Sequence, residues 1–236
     1  MTETPASALS RIGWRGEIPA SDSGTDHRRI ARVVAQHRAG YELHDGEHAF
    51  TAQPAPRFLK PGIDPGDRPA VGDFVWISNA VPPTIEQVLP RRSTLSRSAA
   101  GERHLRQVIA TNIDTVMVVC GLDGDFNPAR IERYFVLIEG SGAKAVVVLT
   151  KADLAADAQA MTEQLKARMP AGTEIHAINA KTGFGVDALL AHLGPGSSTV
   201  LVGSSGAGKS TLTNTLLGEA RQSTQAVRAN DSRGRH

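Results

Sequence analysis

The sequence GSSGAGKS at positions 203–210 has the residue types and the spacing of a phosphate-binding loop. Its glycines allow successive backbone N–H groups to turn inward around an anion at the start of a helix. Lys209 is placed to reach the β- and γ-phosphates of a nucleotide, and the Ser210 hydroxyl is placed to ligate Mg²⁺. A strand pattern, TVLVG, precedes the loop and a helix pattern follows it. This context favours a nucleotide site over a glycine-rich turn without a ligand.

A second segment indicates which base the nucleotide carries. The apolar run KAVVVLT at 144–150 predicts a buried strand, and the residues TKAD at 150–153 lie at its C-terminal end. The Asp153 carboxylate can accept hydrogen bonds from N1–H and the 2-amino group of guanine, whereas adenine offers neither donor. Such a site discriminates strongly, because the wrong base leaves its polar groups unpaired. The stem of Lys151 can lie over the purine face. Taken alone, Asp153 fits a helix cap equally well.

A third segment, Asn179-Ala180-Lys181, follows the strand pattern EIHAIN and places the Ala180 N–H where it can meet guanine O6. Ligands in open α/β sheets bind at the carboxyl ends of the strands, where these three segments are expected to converge. Together they predict GTP as the ligand. A phosphate-loop ATPase is the alternative, and Asp153 disfavours it.

The order of these segments is the most diagnostic feature of the chain. In ordinary GTPases the phosphate loop comes first and the base-binding segments come last. Here the base-binding segments at 150 and 179 precede the phosphate loop at 203, which indicates a circular permutation. Strand and helix patterns alternate from residue 111 onward, so we expect an α/β domain with a doubly wound, mostly parallel sheet over 111–236.

The N-terminal half has a different pattern. Residues 1–26 are rich in Ser, Thr, Ala and Pro, which predicts a flexible tail. Residues 27–90 contain short β-forming runs separated by glycines and prolines, which predicts an all-β barrel. An OB-fold is the favoured barrel, and an SH3-like barrel remains open.

A basic segment joins the two regions. Arginine side chains bind phosphate oxygens in a bidentate manner, so the arginines within the linker 91–110 are candidate RNA contacts. The alternative is a solvated linker with a positive bias. The five arginines are Arg91, Arg92, Arg97, Arg103 and Arg106.

Composition limits the class of protein. The chain has 236 residues, of which 21% are charged and 40% hydrophobic, as in globular proteins. Its single cysteine excludes a disulfide framework and a multi-cysteine zinc site within this sequence. Its apolar runs are far shorter than the ~20 residues that span a bilayer. We therefore expect a soluble, cytoplasmic protein that does not bind membranes.

These features together resemble the ribosome small subunit-dependent GTPase A family (RsgA/YjeQ). The resemblance covers residues 27–236, and the match is specific because a small barrel is joined to a permuted GTPase through a PRRSTLSR linker. The segments that carry it are VGDFVWI, LPRRSTLSR, QVIATNIDTVMVV, ARIERYFVLIEGSGAKAVVVLTKADL and SRGRH.

The resemblance implies a GTPase that hydrolyses GTP to GDP and phosphate. It also implies a monomer that binds the small (30S) ribosomal subunit and its rRNA late in maturation. The cofactors are GTP or GDP, Mg²⁺ at Ser210, and Zn²⁺ in a C-terminal domain. By position, the guanine-binding residues are Thr150, Lys151, Asp153, Asn179, Ala180 and Lys181. The phosphate-binding residues are Gly203, Ser204, Ser205, Gly206, Ala207, Gly208, Lys209, Ser210 and Thr211.

The resemblance also places further segments after SRGRH at 232–236, namely the switch, a D-x-P-G box and the zinc ligands. Because the sequence ends at His236, it predicts a truncated GTPase with an incomplete sheet and weak hydrolysis. The catalytic residues are expected in the missing segment. The alternative is a nucleotide-dependent RNA-binding module that does not hydrolyse GTP.

Overall fold

The computed structural model describes residues 5–17, 28–98 and 106–218. The chain forms two compact units. The first contains the chain up to Asp114 together with Leu137–Ala143 and His192–Thr199, and the second contains the rest.

A closed five-stranded barrel dominates the first unit. The strand order around it is β1-β2-β3-β5-β4, with β4 returning to pair with β1. This closed all-β architecture is OB-like, so the predicted OB-fold is confirmed. The strands are β1 (Arg28–His37), β2 (Gly40–His44), β3 (Ala49–Pro54), β4 (Phe74–Ser78) and β5 (Thr84–Val88).

The barrel core is built from residues that alternate along the strands, such as Leu43, Ile77 and Ile85, which are fully buried. Strand β2 was not predicted, because GYELH is short and contains three titratable side chains. Gly40 starts β2 at φ +144°, and a Cβ there would lie 2.8 Å from the Ala52 carbonyl oxygen. The turn between β1 and β2 therefore requires glycine at this position.

A short helix, α1 (Pro5–Arg11), lies within the segment predicted as a flexible tail. Leu9 is buried in a cluster with Ile30 and Phe74 of the barrel. The Trp14 ring meets the Phe74 ring edge to face, with the ring centroids 4.9 Å apart. Within the described part of the tail, apolar burial therefore orders the chain, while residues 1–4 and 18–26 lie outside the described residues.

The segment predicted as a basic linker contains an antiparallel pair of strands, β6 (Thr94–Ser98) and β7 (Arg106–Thr111). The β-branched residues of TLSRS and RQVIAT account for this pairing, because such side chains favour extended backbone. Leu95 of β6 is buried, as is Ala110 opposite it in β7. The description of 91–110 as a linker thus needs correction over these strands.

A buried ion pair holds the start of this segment against the barrel. Asp73 is fully buried, and its two carboxylate oxygens accept hydrogen bonds from Nε and Nη2 of Arg91, both at 2.7 Å. The same carboxylate accepts a hydrogen bond from the Thr111 hydroxyl at 2.7 Å and from the Ala70 N–H at 2.8 Å. Every acceptor position of this carboxylate is therefore used within the protein.

The second unit contains a four-stranded sheet in the order β10-β9-β8-β11. Strand β9 pairs in parallel with both β8 and β10, so the predicted α/β class with a mostly parallel sheet is confirmed. The strands are β8 (Thr115–Gly121), β9 (Lys144–Thr150), β10 (Glu174–Ala177) and β11 (Thr199–Val202). The helices are α2 (Pro128–Ile138), α3 (Ala158–Lys166) and α4 (Lys209–Leu217), with a 3-10 helix at Val186–His192.

Local sequence explains these elements. Every residue of β8 is buried, as expected for a central parallel strand covered on both faces. Helix α2 begins with Pro128, and the Asn127 side chain caps the helix by accepting a hydrogen bond from the Arg130 N–H at 3.0 Å. None of the helices in the described residues has the length and apolar character needed to cross a membrane.

Replacement of Asp73 by Asn tests the buried ion pair. The amide keeps the shape of the side chain but leaves Arg91 without a charged partner, so we expect the barrel to lose about 3–5 kcal/mol of stability. Urea denaturation monitored by tryptophan fluorescence measures this loss, because both tryptophans, Trp14 and Trp76, lie in the first unit.

The matched control is Glu42→Gln, because Glu42 forms an exposed pair with His37 on the same barrel. Its loss is expected to stay below about 1 kcal/mol. Equal destabilisation by the two substitutions would contradict the importance assigned to Asp73.

Candidate nucleotide-binding site

The phosphate loop runs from the end of β11 to the start of α4, and its backbone requires glycine at two points. Gly203 has φ +149°, and a Cβ there would lie 2.1 Å from the Val119 carbonyl oxygen of β8. Gly208 has φ +93° and sits directly before Lys209, the first residue of α4. The loop is therefore pressed against the sheet, with the N-terminus of α4 directly behind it, as anion binding requires.

Lys209 is half-buried, and its ammonium group donates hydrogen bonds to the phosphate loop. Its Nζ donates to the carbonyl oxygens of Gly203 at 2.9 Å and Ser204 at 2.6 Å. Burial lowers the pKa of Lys209, and the nearby Asp125 carboxylate opposes this effect. A desolvated ammonium beside a helix N-terminus attracts an anion strongly. A phosphate oxygen can replace one of these carbonyl acceptors.

The first base-binding segment is hydrogen-bonded directly to the phosphate loop. Thr150 ends β9 fully buried, and its hydroxyl donates to the Ala207 carbonyl oxygen at 2.6 Å. Lys151 follows in the left-handed region at φ +58°, and the Ala152 N–H donates to the Ile178 carbonyl oxygen at 3.1 Å. Asp153 lies on the following 3-10 turn, Ala152–Leu154, with an exposed side chain. Its carboxylate is thus available to a base.

The second base-binding segment is a turn stabilised by the side chain of its first residue, Asn179. The Asn179 side-chain oxygen accepts hydrogen bonds from the N–H groups of Lys181 at 2.9 Å and Thr182 at 3.3 Å. Ala180 is buried, and its carbonyl oxygen accepts a hydrogen bond from the hydroxyl of Thr215 in α4. Both base-binding segments are therefore bonded to the phosphate loop or to the helix that follows it.

A cleft of about 620 Å³ lies beside the base-binding segments. Asp153 and Asn179 line it together with residues of α3 and β10, whereas no phosphate-loop residue does. The full lining is Ala152, Asp153, Ala158, Gln159, Thr162, Glu163, Ala177, Asn179, Thr182 and Phe184.

Sequence reasoning missed two residues that contact these segments, Asp123 and Asp125, which lie on the turn after β8. The Lys151 ammonium forms an ion pair with Asp123. Burial opposes ionisation of Asp123, but hydrogen bonds from Lys151 and from the Asp125 N–H outweigh it, so the pKa of Asp123 is lowered. Asp125 accepts a hydrogen bond from the Ser204 hydroxyl of the phosphate loop. The available signal was a pair of acids directly after a fully apolar strand at the same sheet edge.

The candidate rRNA arginines differ in their surroundings. The Arg91 guanidinium is committed to Asp73 and is only 18% exposed, so it is a structural residue. Arg92 lies 3.3 Å from the Asp114 carboxylate and remains 35% exposed, and Arg97 is exposed beside Gln107. The fourth candidate, Arg103, lies outside the described residues, and the fifth, Arg106, begins β7.

Comparison with known proteins places this chain in one family. The RsgA GTPase family model matches residues 88–236. The chain is 50% identical to the Small ribosomal subunit biogenesis GTPase RsgA of Xanthomonas campestris pv. campestris (strain B100), over 97% of this chain and 64% of that protein. It is 53% identical to the protein of the same name from Xanthomonas axonopodis pv. citri (strain 306), with the same coverage.

Two solved structures share the fold. The crystal structure of YjeQ from Thermotoga maritima matches with a TM-score of 0.63 and 25% identity, over 80% of this chain and 65% of that one. The crystal structure of YloQ, a circularly permuted GTPase, matches with a TM-score of 0.57 and 22% identity, over 83% of this chain and 66% of that one. The chain thus spans about two thirds of each structure and 64% of the Xanthomonas relatives. On the strength of the family model and these relatives, this chain belongs to the RsgA GTPase family.

Proposed function

We propose that this chain binds GTP and GDP through the phosphate loop and the two base-binding segments. The observation that carries the proposal is the hydrogen bond from Thr150 to Ala207, which joins the first base-binding segment to the phosphate loop. Asp153, three residues after Thr150, supplies the carboxylate that N1–H and the 2-amino group of guanine require. One nucleotide then spans both parts.

The residues present also suit the phosphates and Mg²⁺. The positive charge of Lys209, the α4 N-terminus and the glycines of the loop together form an anion site. Ser210, in the first turn of α4, carries a hard oxygen donor of the kind that Mg²⁺ prefers. Bound there, Mg²⁺ would neutralise charge on the β- and γ-phosphates. Positioning and charge stabilisation account for most of phosphoryl-transfer catalysis, so these residues prepare the nucleotide for hydrolysis.

A second proposal concerns the activity and the binding partner of the whole protein. Its relatives are named as biogenesis GTPases of the small ribosomal subunit. We propose that it binds the 30S subunit in the cytoplasm as a monomer and hydrolyses GTP to GDP and phosphate during maturation of the subunit. Exposed arginines of the first unit, Arg92 and Arg97, are the proposed rRNA contacts among the described residues. Arg91 is removed from this set because Asp73 holds it.

Replacement of Asp153 by Asn tests the guanine assignment. The amide loses the ability to accept two hydrogen bonds, but it can donate one to the C2 carbonyl oxygen of xanthine while its oxygen accepts from xanthine N1–H. We expect GDP affinity to fall about 100-fold or more, since a site built to accept the two guanine donors would leave them unpaired. Xanthosine diphosphate affinity should rise above that of the native chain. Displacement of fluorescent GDP and xanthosine diphosphate measures both changes.

The control for this experiment is Asp187→Asn, an exposed acid on the 3-10 helix Val186–His192. That variant should retain the native preference for guanine. If Asp153→Asn also leaves the preference unchanged, Asp153 does not read the base.

Replacement of Thr150 by Val tests the bond between the two parts of the site. The side chain keeps its volume, but the Ala207 carbonyl oxygen loses its hydroxyl donor. We expect GDP to bind about tenfold more weakly, in line with the ~1–3 kcal/mol cost of an unsatisfied buried group. The Thr150→Ser variant retains the hydroxyl and should bind nearly as the native chain does. Equal affinities for all three proteins would show that the bond does not matter for binding.

Replacement of Arg97 by Ala tests the proposed RNA contact. Loss of one phosphate contact should reduce the slope of log affinity against log salt by about one for purified small ribosomal subunits. The control is Arg168→Ala, which removes an exposed arginine paired with Glu132 in the second unit and should leave the slope unchanged. An unchanged slope for Arg97→Ala would assign that arginine to the solvated surface.

A further inference from the structure

The turn at 121–126, here called the GLDGDF turn, leads from the end of β8 into α2. Its shape is fixed by hydrogen bonds. The Leu122 N–H donates to the Thr150 carbonyl oxygen at 2.8 Å, and the N–H of Asp125 donates to the Asp123 side chain at 3.1 Å. The Phe126 N–H donates to the Asp123 carbonyl oxygen at 3.0 Å. The turn therefore presents its two carboxylates in defined directions, and the proposed nucleotide contacts use neither of them.

Asp125 links this turn to the phosphate loop. One of its carboxylate oxygens accepts a hydrogen bond from the Ser204 hydroxyl, and the other lies 2.6 Å from Nη1 of Arg130. The carbonyl oxygen of the same Ser204 accepts a hydrogen bond from the Lys209 ammonium at 2.6 Å. Ser204 is thus held from two sides, through its side chain by Asp125 and through its backbone by Lys209.

The charges around the turn explain how carboxylates can remain next to an anion site. An unpaired carboxylate there would repel phosphate and weaken binding. Arg130 neutralises Asp125, and Lys151 neutralises Asp123, so these four side chains carry no net charge. The positive charge of Lys209 is then left for the nucleotide. Because Asp125 is neutralised by Arg130 and is bonded to Ser204, its contacts indicate a role in positioning the loop.

We propose that Asp125 is a positioning residue that fixes Ser204, and through it the phosphate loop, in the conformation that receives a diphosphate. The inference rests on the proposed binding of guanine nucleotides. A loop that is already ordered loses less conformational entropy when the ligand binds, which raises affinity. Arg130 contributes by holding the carboxylate in place, and neither side chain needs to touch the nucleotide.

A double-mutant cycle tests this role. We expect Asp125→Ala and Ser204→Ala each to weaken GDP binding about tenfold, because each removes the same hydrogen bond. The variant with both substitutions should bind no more weakly than the weaker of the two single variants. Asp125→Asn keeps an oxygen that can accept from Ser204, so it should bind within about threefold of the native chain. Fluorescent GDP titration of the full chain measures all four affinities.

Two further measurements distinguish loss of the Ser204 contact from a general effect of removing an acid and from unfolding. Asp187→Ala is the control for removal of an acid and should bind GDP as the native chain does, and thermal unfolding without nucleotide checks that each variant is folded. If Asp125→Ala does not fold, Ser204→Ala and Asp125→Asn carry the test.

Several results would overturn the positioning role alone. They are native-like binding by the single variants, a double variant weakened by the product of the single effects, or Asp125→Asn as weak as Asp125→Ala. Failure of the native chain to bind GDP would instead overturn the proposed function, and this inference with it.

Discussion

The proposed nucleotide site depends on one buried hydrogen bond, from the Thr150 hydroxyl to the Ala207 carbonyl oxygen. Thr150 is the last residue of β9, and Ala207 lies within the phosphate loop, 57 positions later in the sequence. Because both residues are buried, neither group can find water as an alternative partner. The bond therefore fixes where the first base-binding segment lies relative to the phosphate loop, and in the proposed site this distance would set the length of nucleotide that fits.

The parallel sheet makes this arrangement possible for a chain in permuted order. Strands β8 and β9 end at the same edge, and each is followed by a turn that contributes polar groups there. The turn after β8 brings Asp123 and Asp125, and the turn after β9 brings Lys151 and Asp153. Where the chain enters and leaves the sheet does not alter this edge, because the loops are positioned by strand pairing and not by their order in the sequence. Pairs such as Lys151 with Asp123 then tie neighbouring loops together.

Much of the second unit could be predicted from the sequence because its signals are local. The run KAVVVLT corresponds residue for residue to β9, and Asn127 with Pro128 marks the start of α2. The barrel was harder to predict in detail, since β2 is short and GYELH lacks a strong apolar pattern. The burial of Leu9 against Phe74 was also missed, because a single apolar residue in a polar segment does not show that it has a partner far along the chain.

Hydrogen bonds and ion pairs between side chains far apart in the sequence could not be predicted at all. The density of arginines between 91 and 110 suggested a surface that binds RNA, yet Arg91 turns inward to Asp73, 18 positions earlier. Charge patterns give the number of cations in a segment and do not show which of them face solvent. The contact between Asp125 and Ser204 spans 79 positions and depends on the sheet that brings two loops together. Such contacts follow from the fold, so they appear only once the fold is known.

The central claim is that the base-binding segments and the phosphate loop form one site for guanine nucleotides. The most direct test is displacement of fluorescent GDP from the native chain by unlabelled GTP and by ATP in the presence of Mg²⁺. Adenine lacks the two donors whose hydrogen bonds the Asp153 carboxylate would accept. GTP should therefore displace the probe at concentrations at least about 100-fold lower than those that ATP requires. Displacement by ATP at the same concentrations as GTP would contradict the account.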